Sequence, residues 1–240
     1  MKLLLASGGI DSTVLMHFLA CRDRAAGGGA KTEVMFCDYG QASADHQEAL
    51  VAHHCLELGL RYRREKIDWP EYARGRGHIF NEKSYPEAMD DAYEALKMSP
   101  EEYQDYLDNK WDIIQGRNVA FLARAGAYAI SRGMRYVYTA FQFDEPEWEA
   151  NGWRDDFVGP GCDTAPGFVK AFNTLSVSGG FSKPLTVVAP FLDTHKTKRQ
   201  IVGLGVQLGV DLSMSYSCEF FPACGKCHQC LIRAEVLPTS

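Results

Sequence analysis

The sequence predicts an α/β fold: a doubly wound parallel sheet flanked by helices, with a cysteine-rich segment at its carboxyl end. Three observations predict it. An apolar strand, Leu3-Leu4-Leu5-Ala6, passes through a loop of small residues, Ser7-Gly8-Gly9-Ile10-Asp11-Ser12, into a helical stretch from Thr13 to Ala20. Strand and helix patterns then alternate through residue 67. Four of the eight cysteines crowd into residues 218–230.

The second strand is Glu33-Val34-Met35-Phe36-Cys37, and it ends at Asp38-Tyr39-Gly40-Gln41. Polar residues at a strand's carboxyl end are where open α/β sheets bind ligands. A helix follows from about Ser43 to Leu58, with Val51, Cys55 and Leu58 on one face, and stops at Gly59. Arg61 to Ile67 is a weaker third strand. Residues 70–115 form an acidic, aromatic insertion. Within it, Ser99-Pro100-Glu101-Glu102 has the pattern of a capped helix start. One or two short helices are expected there, serving as a solvated cover, a lid or a dimer contact.

Arg117-Asn118 opens the clearest helix, with Asn118 as the expected N-cap. Val119, Leu122, Gly126, Ala129 and Ile130 repeat at helical spacing, and Gly133 ends it. A strand from Arg135 to Ala140 then leads to Phe141-Gln142-Phe143-Asp144. Residues 145–190 read as irregular, apart from a short helix from Phe168 to Leu175. A last long helix runs to about Leu208, with Ile201, Leu204 and Leu208 on its apolar face. Lys196, Lys198 and Arg199 stand in its first turns, where cations oppose the helix dipole. A bound anion would offset that cost. Lys196 is the expected phosphate contact, and Lys198 and Arg199 are expected to be solvated. The expected organisation is a domain over 1–215 and a metal-binding tail over 216–240.

Bulk composition excludes several classes. The chain has 240 residues, 46% hydrophobic and 23% charged, enough to bury an ordinary core. A net charge of −6 argues against broad, direct nucleic-acid binding. No apolar run approaches the length of a membrane span, and no signal peptide precedes the first strand. A cytoplasmic protein is expected.

The first loop is built for an anion. Its glycines turn sharply, and the helix behind it aims free N–H groups and a positive dipole end at the same spot. Ser7 and Ser12 add hydroxyls. Asp11 would repel phosphate unless a cation intervened, so it reads as a Mg²⁺ ligand or a catalytic-positioning residue. No Gly-Lys-Ser/Thr follows, and the third glycine of a dinucleotide fingerprint is missing. The cysteines read C-x5-C-x2-C-x2-C: Cys218, Cys224, Cys227 and Cys230. Four thiolates at this spacing suit a structural Zn²⁺, with an iron–sulfur cluster as the competitor.

Ser-Gly-Gly-x-Asp-Ser after a first strand resembles the PP-loop of the ATP pyrophosphatases, which have a Rossmann-like sheet and cleave ATP to an adenylate and pyrophosphate. Taken in order, that loop, Asp38-Tyr39-Gly40-Gln41, Arg117-Asn118, Asp144, the Lys196 helix and the terminal cysteines resemble the QueC family, the 7-cyano-7-deazaguanine synthases. The resemblance implies ATP, Mg²⁺ and Zn²⁺ as cofactors, with 7-carboxy-7-deazaguanine and ammonia as substrates. The carboxylate is adenylated, ammonia gives the amide, and a second activation gives the nitrile, preQ0.

The resemblance places Ser7, Gly8, Gly9, Asp11 and Ser12 on phosphate and Mg²⁺, with Asp38 and Gln41 near ATP. Arg117, Asn118, Asp163 and Phe168 fall on the substrate. Asp11, Asp144 and Lys196 are the catalytic set. Many relatives are homodimers, so a homodimer is expected.

The sequence also departs from the family pattern. Ser43 stands where the family commonly has His. The family's Tyr-Pro-Asp-Cys-Arg-Pro-x-Phe loop is here Gly161 to Phe168, with Ala165 in place of the Arg. A divergent branch, including phage or anti-phage types, could therefore join the deazaguanine carboxylate to another amine, even one on a protein. Two further classes compete: a PP-loop tRNA-thiolating enzyme and a non-catalytic zinc-bearing binding protein.

Overall fold

The computed structural model describes residues 1–27, 31–69, 99, 116–142, 164–218, 220–225 and 227–237. Its strands are β1 (Lys2–Leu5), β2 (Thr32–Asp38), β3 (Arg61–Lys66), β4 (Tyr136–Tyr138) and β5 (Thr186–Val188). Its helices are α1 (Ile10–Ala25), α2 (Ala44–Leu58), α3 (Arg117–Ser131), α4 (Pro166–Leu175), α5 (Pro190–Asp193), α6 (Lys198–Gln207) and α7 (His228–Val236). No helix among the described residues is long and apolar enough to cross a membrane.

The strands form one sheet in the order β3-β2-β1-β4-β5. β1 runs parallel to β2, with Leu4 opposite Val34, and parallel to β4, with Leu3 opposite Val137. β4 runs parallel to β5, with Val137 opposite Val187. The chain steps outward from β1 in one direction and later resumes on its other side. That reversal places a crevice at the carboxyl ends of β1 and β4, where doubly wound sheets bind ligands.

Burial follows position in the sheet. All seven residues of β2 are buried, as expected of an inner strand covered on both faces. β3 is an edge strand, and its sequence Arg-Tyr-Arg-Arg-Glu-Lys leaves it charged and partly exposed. Such charges protect an open edge from pairing with another chain. Leu3, Leu4, Val34, Met35, Phe36 and Val137 form the sheet core, with Ile10, Val14, Leu15 and Leu19 of α1 packed in. At the amino end of β1, buried Asp23 of α1 accepts bonds from Lys2 Nζ (2.7 Å), the Thr32 hydroxyl (2.8 Å) and the Lys31 amide (3.1 Å). One carboxylate thus ties α1 to β1 and β2.

Two compact units divide the chain. The first holds Met1–Cys37, Gln47–Glu65 and Gly116–Tyr216. The second holds Asp38–His46, Lys66–Gln115 and Ser217–Ser240, so the cysteine tail shares a unit with the turn after β2. Apart from Ser99 itself, the insertion, with the helix expected to follow Ser99, lies outside the described residues.

The structure corrects several expected elements. Gly116, at φ 74°, caps α3, so Asn118 is already inside the helix. Val119 is exposed, and the buried stripe of α3 is Leu122, Ala125, Gly126 and Ala129. The stretch 145–190 holds the expected short helix as α4, which starts two residues earlier at Pro166, and it also holds β5 in place of the expected irregular chain. Thr197 caps α6 through a capping box with Gln200, which leaves Lys196 before the helix. The buried stripe of α6 is Lys198, Ile201, Val202 and Gly205, rotated from the expected Ile201, Leu204 and Leu208. Gly205 lies against α1, where an added Cβ would meet a Val14 methyl at 2.8 Å.

Candidate functional site

The loop after β1 is shaped by its own hydroxyls and by distant backbone. Ser12 Oγ donates to the Gly9 carbonyl (3.1 Å) and accepts from the Ser7 amide (3.2 Å). Ser7 Oγ accepts from the Gly9 amide (3.3 Å). Gly8 adopts φ +78°, and a Cβ there would strike the Gln47 carbonyl oxygen at 2.9 Å. Its own carbonyl accepts the Tyr216 amide at 2.8 Å. The loop thus needs glycine at position 8 for conformation and for space.

Gly9 precedes α1 in extended conformation and makes no side-chain cap. The first amides of a helix have no partner within it, and at this 16-residue helix the cap residue offers them no side chain. Within that first turn, Asp11 Oδ2 binds the Lys198 ammonium. Asp11 Oδ1 is buried without a hydrogen-bond partner among the described residues. A buried carboxylate oxygen left without a donor suits a hard cation, so the residues present fit a Mg²⁺ beside a phosphate.

Lys198 is only 8% exposed, so the expectation that it is solvated is overturned. Its place three residues before Ile201 on the buried stripe of α6 carries the ammonium inward. Lys196 is half-buried, and its amide bonds the Phe191 carbonyl (2.7 Å). Among the described residues, the cation that contacts Asp11 is Lys198. In α6 it shares one helix face with Ile201, Val202 and Gly205.

Thr139 follows β4, the neighbour of β1, and its amide bonds the Val188 carbonyl (3.0 Å). Its hydroxyl is buried and has no hydrogen-bond partner among the described residues. It stands at the carboxyl end of the strand beside the loop, and sequence reasoning missed it. Arg117 and Asn118 lie half-buried at the start of α3. Phe168 lies in α4, its ring 6.4 Å from Phe172. Asp144 and Asp163 fall outside the described residues.

In the second unit, Asp38 and Gln41 build the turn that carries them. Asp38 Oδ1 accepts from the Gly40 amide, and Gln41 Oε1 from the Tyr39 amide, both at 3.0 Å. Ser43 is fully buried, and its hydroxyl has no hydrogen-bond partner among the described residues.

The four terminal cysteines converge. Cys218 Sγ lies 3.6 Å from Cys224 Sγ and 3.8 Å from Cys227 Sγ, and Cys224 and Cys230 are 3.9 Å apart. Sulfurs bound tetrahedrally at zinc–sulfur distance would stand about 3.8 Å apart, so the set fits Zn²⁺. The left-handed Gly225 makes the turn between the second and third ligands. Cys218, hydrogen-bonded by the Cys227 thiol and by the Cys224 and Phe220 amides, titrates at about 5 despite burial. Burial pushes the Cys230 thiol up to about 11. Cys37 and Cys55 lie in the core, and burial raises each to about 12, as for inert thiols.

The model of the family described as "Queuosine biosynthesis protein QueC" matches residues 1–239. A 7-cyano-7-deazaguanine synthase of Archaeoglobus fulgidus is 27% identical over 236 residues, covering 97% of this chain and 83% of that protein. One of Methanocaldococcus jannaschii is 29% identical over 244 residues, covering 95% and 90%. One of Porphyromonas gingivalis is 27% identical over 238 residues, covering 98% and 91%. With a family match along almost its whole length, and four converging thiols at its carboxyl end, the chain belongs to the QueC family.

Proposed function

We propose that the chain is an ATP-dependent 7-cyano-7-deazaguanine synthase, making preQ0 from 7-carboxy-7-deazaguanine and ammonia. The single observation that carries the chemistry is the Ser7–Ser12 loop with Lys198 seated on Asp11. A carboxylate is a poor electrophile until one oxygen becomes a phosphate leaving group. The carboxylate oxygen attacks the α-phosphorus of ATP and pyrophosphate departs. Ammonia then displaces AMP to give the amide. A second ATP adenylates the amide oxygen, and loss of AMP with the remaining N–H protons leaves the nitrile.

The chain's own groups serve this as donors placed in advance. The α1 amides and the Ser7 and Ser12 hydroxyls receive phosphate oxygens, and Lys198 answers the negative charge that grows on the leaving pyrophosphate. Asp11 would hold Mg²⁺, which supplies further neutralisation of the polyphosphate when bound. Arg117, at the start of α3, supplies a cation for the substrate carboxylate. Cys218, Cys224, Cys227 and Cys230 would hold a structural Zn²⁺ with no open position.

The test is a reaction of zinc-loaded protein with ATP, Mg²⁺, 7-carboxy-7-deazaguanine and ammonium, read by mass spectrometry. PreQ0 with AMP is the expected result. No AMP from folded, metal-loaded protein overturns the assignment. A second reading rests on Ala165, which is buried at the cap of α4 where the family loop carries Arg. On that reading the enzyme joins the same acid to a different amine, and the assay yields adenylate or amide without nitrile.

A further inference from the structure

Away from the nucleotide loop, α1 and α2 bring two imidazoles and a carboxylate together. His17 of α1 and His54 of α2 are both buried, at 8% and 1% exposure. His17 Nε2 lies 3.1 Å from His54 Nδ1. His54 Nε2 lies 2.8 Å from the Met214 carbonyl. A carbonyl only accepts, so His54 carries its proton on Nε2 and turns the Nδ1 lone pair toward His17. Glu57, one turn further along α2, brings Oε2 within 3.6 Å of the same Nδ1. One ligand atom from each of the three lies within 4.8 Å of the others.

We propose that His17, His54 and Glu57 form a second divalent-metal site, of the imidazole–carboxylate type that takes Zn²⁺, Co²⁺ or Ni²⁺. The spacing supports it. Two nitrogens on one ion at ordinary bond length lie about 3.0 Å apart at a right angle and about 3.4 Å apart in a tetrahedron. The observed 3.1 Å falls between. The bond from His54 Nε2 to a backbone carbonyl is the outer support that metal-ligating histidines use to fix tautomer and ring direction. The Glu57 side chain is 57% exposed, so one side of the site opens to solvent for entry and for completing water ligands.

Without metal, the His17 Nε2 proton fills the gap between the rings. Binding moves that proton to His17 Nδ1 and leaves two lone pairs facing the ion, with no net proton lost. The site is independent of the catalytic reading and of the terminal thiols.

The test uses the full chain with its cysteine site filled by zinc and excess metal removed, titrated with Co²⁺ alone. One further equivalent is expected, with ligand-field absorption and no sulfur charge-transfer band. Its affinity should fall about tenfold in Glu57→Gln and about a hundredfold in His17→Gln. His53→Gln, at a neighbouring exposed imidazole, should leave it unchanged. Glu57 is at the surface, so its variant reports on binding even if His17→Gln folds poorly. The proposal is overturned by the absence of a further equivalent, by a sulfur charge-transfer band, or by a further equivalent that ignores Glu57→Gln and responds to His53→Gln.

Discussion

The Ser7–Ser12 loop and the cysteine cluster are both compact, but they are assembled in opposite ways. Residue 8 reaches its geometry because Gln47 and Tyr216 press and clip it, and Asp11 meets its cation from position 198. The loop belongs to the whole sheet-and-helix unit. The four thiols come from a single stretch, 218–230, and converge through one glycine turn and the start of α7. Such a set is organised by the ion it would hold. An anion site is therefore preformed by a fold, whereas a thiolate site is closed by its ligand, so the two should fail independently.

The largest separation should come from the thiols. Cys227→Ser should abolish stoichiometric zinc by metal analysis. Because metal binding and local ordering are coupled at roughly 10 kcal/mol in such sites, amide exchange across 218–236 should rise to unprotected rates. Protected amides persisting there without metal would mean the tail is held by packing instead.

A smaller, chemical effect should come from the loop. Lys198→Met should slow AMP formation by about 10²- to 10³-fold, with zinc content unchanged. A change under about threefold would remove Lys198 from the machinery and favour Lys196 in its place.

The mildest effect should come from the far end of β1. Asp23→Ala should cost about 2 kcal/mol in denaturant unfolding, because Lys2 and the Thr32 hydroxyl lose their acceptor. Burial alone would raise the Asp23 carboxyl, but the Lys2, Thr32 and Lys31 bonds outweigh it and hold it below its ordinary range. The folded form therefore keeps fewer protons than the unfolded chain. The stabilisation is present above about pH 4 and is lost as pH falls through the depressed value. The Asp23→Ala stability profile should be flatter than that of the parent over that acid window. The KM for ATP should stay unchanged in the folded fraction.

What the sequence makes legible tracks the same contrast. The Ser7–Ser12 loop can be read because a strand, small residues and a helix follow one another without interruption. The cysteines can be read from spacing alone. Lys198 cannot, because the apolar pattern of α6 admits two registers and the one containing Leu204 and Leu208 is the more hydrophobic. The register realised instead buries Lys198, which is tolerable because Asp11 faces it. β5 escapes a reading of the sequence because three residues, Thr186–Val188, carry little pattern of their own and acquire strand geometry from β4. Residue type favours Asn118 as a cap, whereas Gly116 can adopt the positive φ that the entry to α3 requires. Thr139 leaves no local motif, because its significance comes from lying beside β1 in the sheet.

The clip between the Tyr216 amide and the Gly8 carbonyl bears on the order of biosynthesis. The loop at residues 7–12 takes its clip from residue 216 and its cation from residue 198, both far along the chain. During translation the first strand and helix would emerge early, while the cradle between them lacked both its clip and its lysine. A nascent chain stalled before residue 198 would carry the motif without a finished loop. The loop would therefore be finished only after residue 216 has emerged from the ribosome, well after the first α/β unit has formed.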